Sequence, residues 1–225
     1  MSGSPEVGLV FVHGAGLGGW IWEAMAPGLD FPHLFTDFPG REGGEKATEG
    51  LRLDDYVRHL RDQVGAFPTD RVAIVAHSLG GVVALKLAGE LSVRLAGFVA
   101  VGAAIPSDGG SFVSSLPLAK RALTTVLMRV AGTKPPESAI RRGLCSDLRA
   151  PEADEVVRRF VPESRAVYFE RTRAPLPDAP RMYVRLAQDR EFGVPLQRVM
   201  ASNLGAGEVR EIASGHMPML SEPMS

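Results

Sequence analysis

The chain has 225 residues, 45% hydrophobic and 23% charged, with 25 Lys plus Arg against 26 Asp plus Glu. At about 100–200 residues per domain this is one large domain or two small ones, and a net charge of −1 exerts no pull towards nucleic acid or an anionic membrane. A single cysteine, Cys145, excludes an internal disulfide, residues 1–8 lack the pattern of a secretory leader, and no apolar run nears the ~18 residues of a membrane span, so a cytoplasmic globular protein is expected.

In chain order, short β-branched or aliphatic runs closed by small or polar residues fall at 7–13, 34–37, 71–76, 95–102, 182–187 and 209–213. Each predicts a strand. The third, with Val72-Ala73-Ile74-Val75, is apolar on both faces, as in strands buried within a parallel sheet. Helical patterns lie between them. A helix-like run opens at Trp20, and from 53 to 67 the residues Leu53, Tyr56, Val57, Leu60, Val64 and Phe67 form one stripe at steps of three and four. Residues 80–91 are apolar nearly all round, which predicts a helix packed on the sheet. From about 105 to 180 the alternation stops, and 116–130 and 153–161 read as helices. The expected fold is α/β, a doubly wound, mostly parallel sheet. Its core comes from 1–105 and 180–225, and 106–179 is expected to form a helical cap, or lid, over the carboxyl edge where clefts lie, the alternative being simply more helix packing.

The strongest local signal is Ala76-His77-Ser78-Leu79-Gly80-Gly81. A buried strand ends, a serine sits on a sharp turn, and an apolar helix begins at once. A nucleophile on such a strained turn needs small neighbours two residues away on either side; Ala76 and Gly80 supply them, although Ala76 replaces the usual glycine. The amide of Leu79 then lies at a helix N-terminus, placed for a developing oxyanion. The alternative is that Ser78 merely caps the helix. Only the nucleophile reading makes a further demand: an acid and then a histidine at later strand ends. Asp189 follows the fifth strand and His216 the sixth. His216 would take the serine proton and Asp189 would hold its imidazole.

Gly14-Ala15-Gly16-Leu17-Gly18-Gly19 follows the first strand and matches a dinucleotide-binding fingerprint, with Asp37 about 20 residues on. Trp20 and Trp22 directly after it would crowd a pyrophosphate, and that reading leaves Ser78, Asp189 and His216 without a task. In a hydrolase the same loop supplies the second oxyanion donor, the amide of Ala15. The five histidines show no metal-ligand spacing, so neither metal nor cofactor is called for.

With these segments assembled, the sequence resembles the α/β-hydrolase superfamily, in the branch of methyl-salicylate-type plant esterases, hydroxynitrile lyases and small bacterial hydrolases. The resemblance rests on Val12-His13-Gly14-Ala15, Gly19-Trp20-Ile21-Trp22, Thr36-Asp37-Phe38-Pro39-Gly40, Ala76 to Gly81, Gln188-Asp189 and Gly215-His216-Met217-Pro218. Residues 105–180 match in layout only. The resemblance implies a Ser78–Asp189–His216 triad with oxyanion amides at Ala15 and Leu79. Hydroxynitrile lyases carry threonine where this chain has Gly14 and lysine where it has Met217, so the esterase pattern fits better. The stretch from Asp189 to Pro195 is slightly longer than usual, which leaves Glu191 as a weaker alternative acid, and Asp108 is another, because some relatives place the acid after the fourth strand. Relatives continue past Ser221-Glu222-Pro223 with a helix over the sheet, so either a terminal segment is missing from this sequence or an apolar flank stays open.

The expectation is a serine esterase acting on a small, largely apolar ester, its only partner a small molecule, with room for a homodimer. Two rivals use the same scaffold: a non-hydrolytic lyase or cofactor-free rearrangement, and a ligand-binding pseudo-hydrolase.

Overall fold

The computed structural model describes residues 6–223, so most of the leader reading at 1–8 and the last two residues of the 180–225 span lie outside the described residues. Six strands form one sheet: β1 (Val7–Val12), β2 (His33–Phe35), β3 (Arg71–His77), β4 (Leu95–Val101), β5 (Arg181–Leu186) and β6 (Glu208–Ile212). They lie in the order β2-β1-β3-β4-β5-β6, and every neighbouring pair is parallel. All carboxyl ends therefore share one edge. The strand order reverses between β1 and β3, the place where such sheets open a crevice.

The helices are α1 (Glu45–Thr48), α2 (Leu53–Ala66), α3 (Gly80–Leu91), α4 (Leu118–Val130), α5 (Glu137–Arg142), α6 (Ala150–Arg159), α7 (Arg165–Phe169), α8 (Val194–Leu204) and α9 (Pro218–Ser221), with 3-10 turns between. The α2 stripe buries Leu53, Tyr56, Val57, Leu60 and Val64 as its spacing predicts, each worth about 1.5–3 kcal/mol when fully removed from water. Its first turn is held by the Asp55 carboxylate, which accepts the Arg52 amide at 2.8 Å. In α3, eight of twelve residues are buried, so this helix is central to the core. The run from Trp20 is a 3-10 helix, Gly19–Gly28.

Between β4 and β5 the chain carries α4 to α7 and no strand. Within this insertion α4 packs unusually. It has no buried residue, and Leu118, Leu123, Val126, Leu127 and Val130 are 53–83% exposed, so its apolar stripe faces outward. On the sheet itself Val75, Val99, Met182 and Ile212 are only half-buried. Among the described residues no helix is long and apolar enough to cross a membrane.

Candidate active site

Ser78 sits in the turn between β3 and α3 with φ at +51°, a left-handed conformation that costs a non-glycine residue about 1–3 kcal/mol. The neighbouring glycines are there because backbone crosses within contact distance. A Cβ on Gly80 would lie 2.4 Å from the His13 carbonyl oxygen, and one on Gly81 would lie 2.6 Å from that of Ala104. The Ala104 amide donates to the Ser78 carbonyl at 2.8 Å, fixing the turn to the chain leaving β4. No side chain caps α3; the Ser78 hydroxyl has another partner.

That partner is His216. Ser78 Oγ lies 3.0 Å from His216 Nε2, and His216 Nδ1 lies 2.9 Å from Asp189 Oδ2. Asp189 can only accept, so Nδ1 carries the hydrogen and Nε2 is left to accept the hydroxyl proton. The other Asp189 oxygen accepts the amides of Glu191 at 2.7 Å and Phe192 at 3.0 Å. Gln197, on α8, braces this loop by bonding both backbone groups of Leu186 and the Phe192 carbonyl. All three residues are nearly out of water, Ser78 being the most open at 8%.

Burial opposes charge on both partners, yet each settles the other's ionised form. Burial works against the imidazolium, but the Asp189 carboxylate outweighs it and raises the His216 pKa above 6.5. Desolvation works against the Asp189 carboxylate, but His216 and the two amides outweigh it and hold its pKa down.

Two more histidines stand beside this relay. His77 Nε2 donates to the His216 carbonyl at 2.8 Å, tying the residue before Ser78 to the loop bearing the base. Burial lowers its pKa to about 3. His13 accepts the Phe38 amide on Nε2 at 3.1 Å and donates Nδ1–H to the Gly14 carbonyl at 2.7 Å. Burial, with Arg41 assisting, holds its pKa well below 6.5. The neutral ring thus fixes the Gly14–Ala15 peptide plane. Among the described residues neither the Ala15 nor the Leu79 amide has a hydrogen-bond acceptor. Gly14 packs against the turn: a Cβ there would lie 2.8 Å from Ser78 Cβ and 3.3 Å from Ser78 Oγ, so a larger residue would require the turn to shift.

The remaining sequence candidates fall elsewhere. Glu191 lends its amide to Asp189 while its carboxylate faces Lys120 at 3.3 Å. Asp108 lines a surface cleft with Ser107, Thr172 and Asn203 and does not contact His216. Asp37 accepts the Gly19 amide at 2.8 Å, so it holds the glycine-rich turn closed. Within that turn the Gly16 carbonyl accepts the Val161 amide at 3.0 Å, and its amide donates to Glu163. An aromatic line of Tyr168, Phe112 and Phe192, with ring centroids 5.4 and 6.0 Å apart, ends edge-on at His216, 5.6 Å away.

Sequence reasoning missed Glu163, Arg41, Tyr56 and Asp147. Asp147, in the insertion, accepts the Gly215 amide at 2.6 Å and so supports the His216 loop. Glu163 is bonded by Tyr56 and Arg41 as well as Gly16. Both reach their partners across long sequence separations, where no local motif signals them.

The sequence profile of the Alpha/beta hydrolase family matches residues 9–225. The chain belongs to this family. It is 28% identical over 240 residues to salicylic acid-binding protein 2 of Nicotiana tabacum, covering 95% of this chain and 92% of that protein. Over 77 residues, 32% of this chain and 29% of the relative, it is 40% identical to methylesterase 18 of Arabidopsis thaliana. The fold superposes on an extracellular alpha/beta-hydrolase from a Paenibacillus species with a TM-score of 0.86, at 20% identity and covering 96% and 94% of the two chains. In this alpha/beta hydrolase, β3, β5 and β6 deliver Ser78, Asp189 and His216 to one sheet edge in the order Ser, Asp, His.

Proposed function

We propose that this alpha/beta hydrolase is a serine esterase that cleaves a small, largely apolar ester, with Ser78, His216 and Asp189 as its triad and residues 106–179 as its lid. The observation that carries the reading is the unbroken relay from Ser78 Oγ through His216 to Asp189, at 3.0 and 2.9 Å, built on a strained turn. Likeness to a methylesterase supports ester chemistry, and the phenyl rings leading to His216 support an apolar substrate.

His216 Nε2 takes the Ser78 proton as Oγ bonds to the ester carbonyl carbon. The oxygen of the tetrahedral intermediate gains the negative charge and is held by the Ala15 and Leu79 amides. The intermediate collapses, the alcohol leaves with the proton from His216, and the acyl group stays on Ser78. Water, deprotonated by the same imidazole, then attacks the acyl carbon and releases the acid and the free serine. Asp189 keeps the ring in the useful tautomer and steadies its transient positive charge.

A fluorophosphonate probe and a panel of p-nitrophenyl esters test this. The wild type is expected to be labelled and to turn over short esters, and Ser78→Ala to lose labelling and about 10⁴–10⁶ in kcat while folding normally. Absence of labelling in the wild type, or turnover surviving in Ser78→Ala, overturns the triad. Labelling without turnover of any ester transfers the chemistry to the lyase, rearrangement or ligand-binding rivals.

A further inference from the structure

The glycine-rich loop that carries the Ala15 amide has one side fixed by its own strand. The His13 ring holds the Gly14 carbonyl at 2.7 Å, and because the peptide is planar and trans this sets one edge of the Ala15 N–H plane. The other side is fixed from the insertion. The next amide, that of Gly16, donates to Glu163 Oε1 at 3.0 Å, and the Gly16 carbonyl accepts from Val161 at 3.0 Å. Gly16 has φ at +77°, and the Phe160 ring occupies the space a side chain would take.

Glu163 itself is 1% exposed. Its Oε2 accepts the Tyr56 hydroxyl at 3.1 Å, and Arg41 bonds Oε1 while giving a second bond to the Val161 carbonyl at 2.9 Å. The Tyr56 hydroxyl in turn accepts the Ser164 amide at 2.9 Å. Three separate stretches of chain, the loop after β1, Arg41 and α2, thus converge on one buried carboxylate of the insertion. A hydrogen bond to an ionised acceptor is roughly twice as strong as a neutral one, so this carboxylate grips the Gly16 amide more firmly than a backbone carbonyl would.

We propose that Glu163 is a positioning residue for the oxyanion hole: by binding the Gly16 amide from the insertion it holds the adjacent Ala15 amide in place, so the hole is set only when residues 160–164 are seated. The proposal rests on the serine-esterase reading. Glu163 acts through the loop and does not touch the reacting atoms. Its neighbours make it more than half of an ion pair, because Arg41 alone would not require contact with Gly16.

Two variants separate positioning from pairing. Glu163→Gln retains the shape but not the charge, and leaves Arg41 buried without its partner. The double variant Arg41→Met/Glu163→Gln removes both charges and with them the penalty of an unpaired buried cation. With p-nitrophenyl acetate, Glu163→Gln is expected to lower kcat on the order of 10- to 100-fold, somewhat less than outright loss of an oxyanion donor. KM should stay within about threefold and phosphonate labelling should slow in parallel. In the double variant Tm should recover while kcat stays low. Wild-type kcat in Glu163→Gln, a change confined to KM, or recovery of kcat together with Tm in the double variant overturns the proposal. If Glu163→Gln does not fold, the double variant against wild type decides by the same kcat criterion. Failure of the wild type to be labelled would instead sink the esterase reading, so the two failures are distinct.

Discussion

Gly16→Ala tests whether the seat between the insertion and the loop after β1 is as close as the structure places it. Two costs add. The backbone at φ +77° disfavours an L side chain by about 1–2 kcal/mol. In addition, the new Cβ would lie 2.0 Å from Phe160 Cε2 and 2.2 Å from Cζ, and overpacking of this kind costs about 1–3 kcal/mol. The sum is about 2–5 kcal/mol, which for a chain of this size lowers Tm by roughly 4–20 °C at about 2–4 °C per kcal/mol. Gly109 is the control, with φ at +68° and nothing within 4 Å of an added Cβ. Gly109→Ala should therefore show the backbone cost alone, a fall of roughly 2–8 °C. Thermal unfolding of both variants gives the comparison, repeated in a Phe160→Ala background, where Gly16→Ala should shrink to the Gly109 value. Equal falls for the two alanines in the wild-type background would refute the crowding argument, and with it the close seating of 160–164 on the loop.

Two further outcomes follow from the relay. Because Ser78 is held at φ +51°, Ser78→Gly should unfold at a higher temperature than Ser78→Ala, by about 1 kcal/mol of relieved strain, although both are inactive; equal Tm values would deny the strain. The acid limb of kcat/KM reports protonation of His216, since the imidazolium cannot accept the serine proton. Its pKa is raised by Asp189 against the effect of burial, so activity should fall as pH drops through a midpoint above 6.5. Asp189→Asn removes the group that raises it. The midpoint should move to lower pH while kcat falls by about 10⁴-fold, and a profile from pH 5 to 9 with an unmoved acid limb would contradict the assignment.

Much of the fold was legible because local pattern and tertiary role coincide in it. The α3 bounds follow from a sequence apolar all round directly after a strand, and α2 shows every inward residue at helical spacing. The helix α8 was not read, because Gly193-Val194-Pro195 looks like a loop although proline at a first turn equally opens a helix. In α4 the apolar helix is visible in the sequence but the direction of its apolar face is not: periodicity says that a face is apolar, not which way it turns. The relay was legible for a different reason. Ser78, Asp189 and His216 each stand at a strand end, and parallel topology gathers strand ends. Glu163 had no such marker. Its partners lie 107 to 147 residues away in sequence, and a buried carboxylate between Pro162 and Ser164 looks like any loop residue until the chain is folded.

The three imidazoles at the site divide the labour of a single proton. His13 and His77 are sealed in and kept uncharged, serving as rigid rods between backbone groups, while His216 alone has its pKa raised, by the Asp189 carboxylate against the effect of burial. A change of acidity between neutral and mildly acid therefore alters one charge among these rings and leaves the two that brace the backbone as they were.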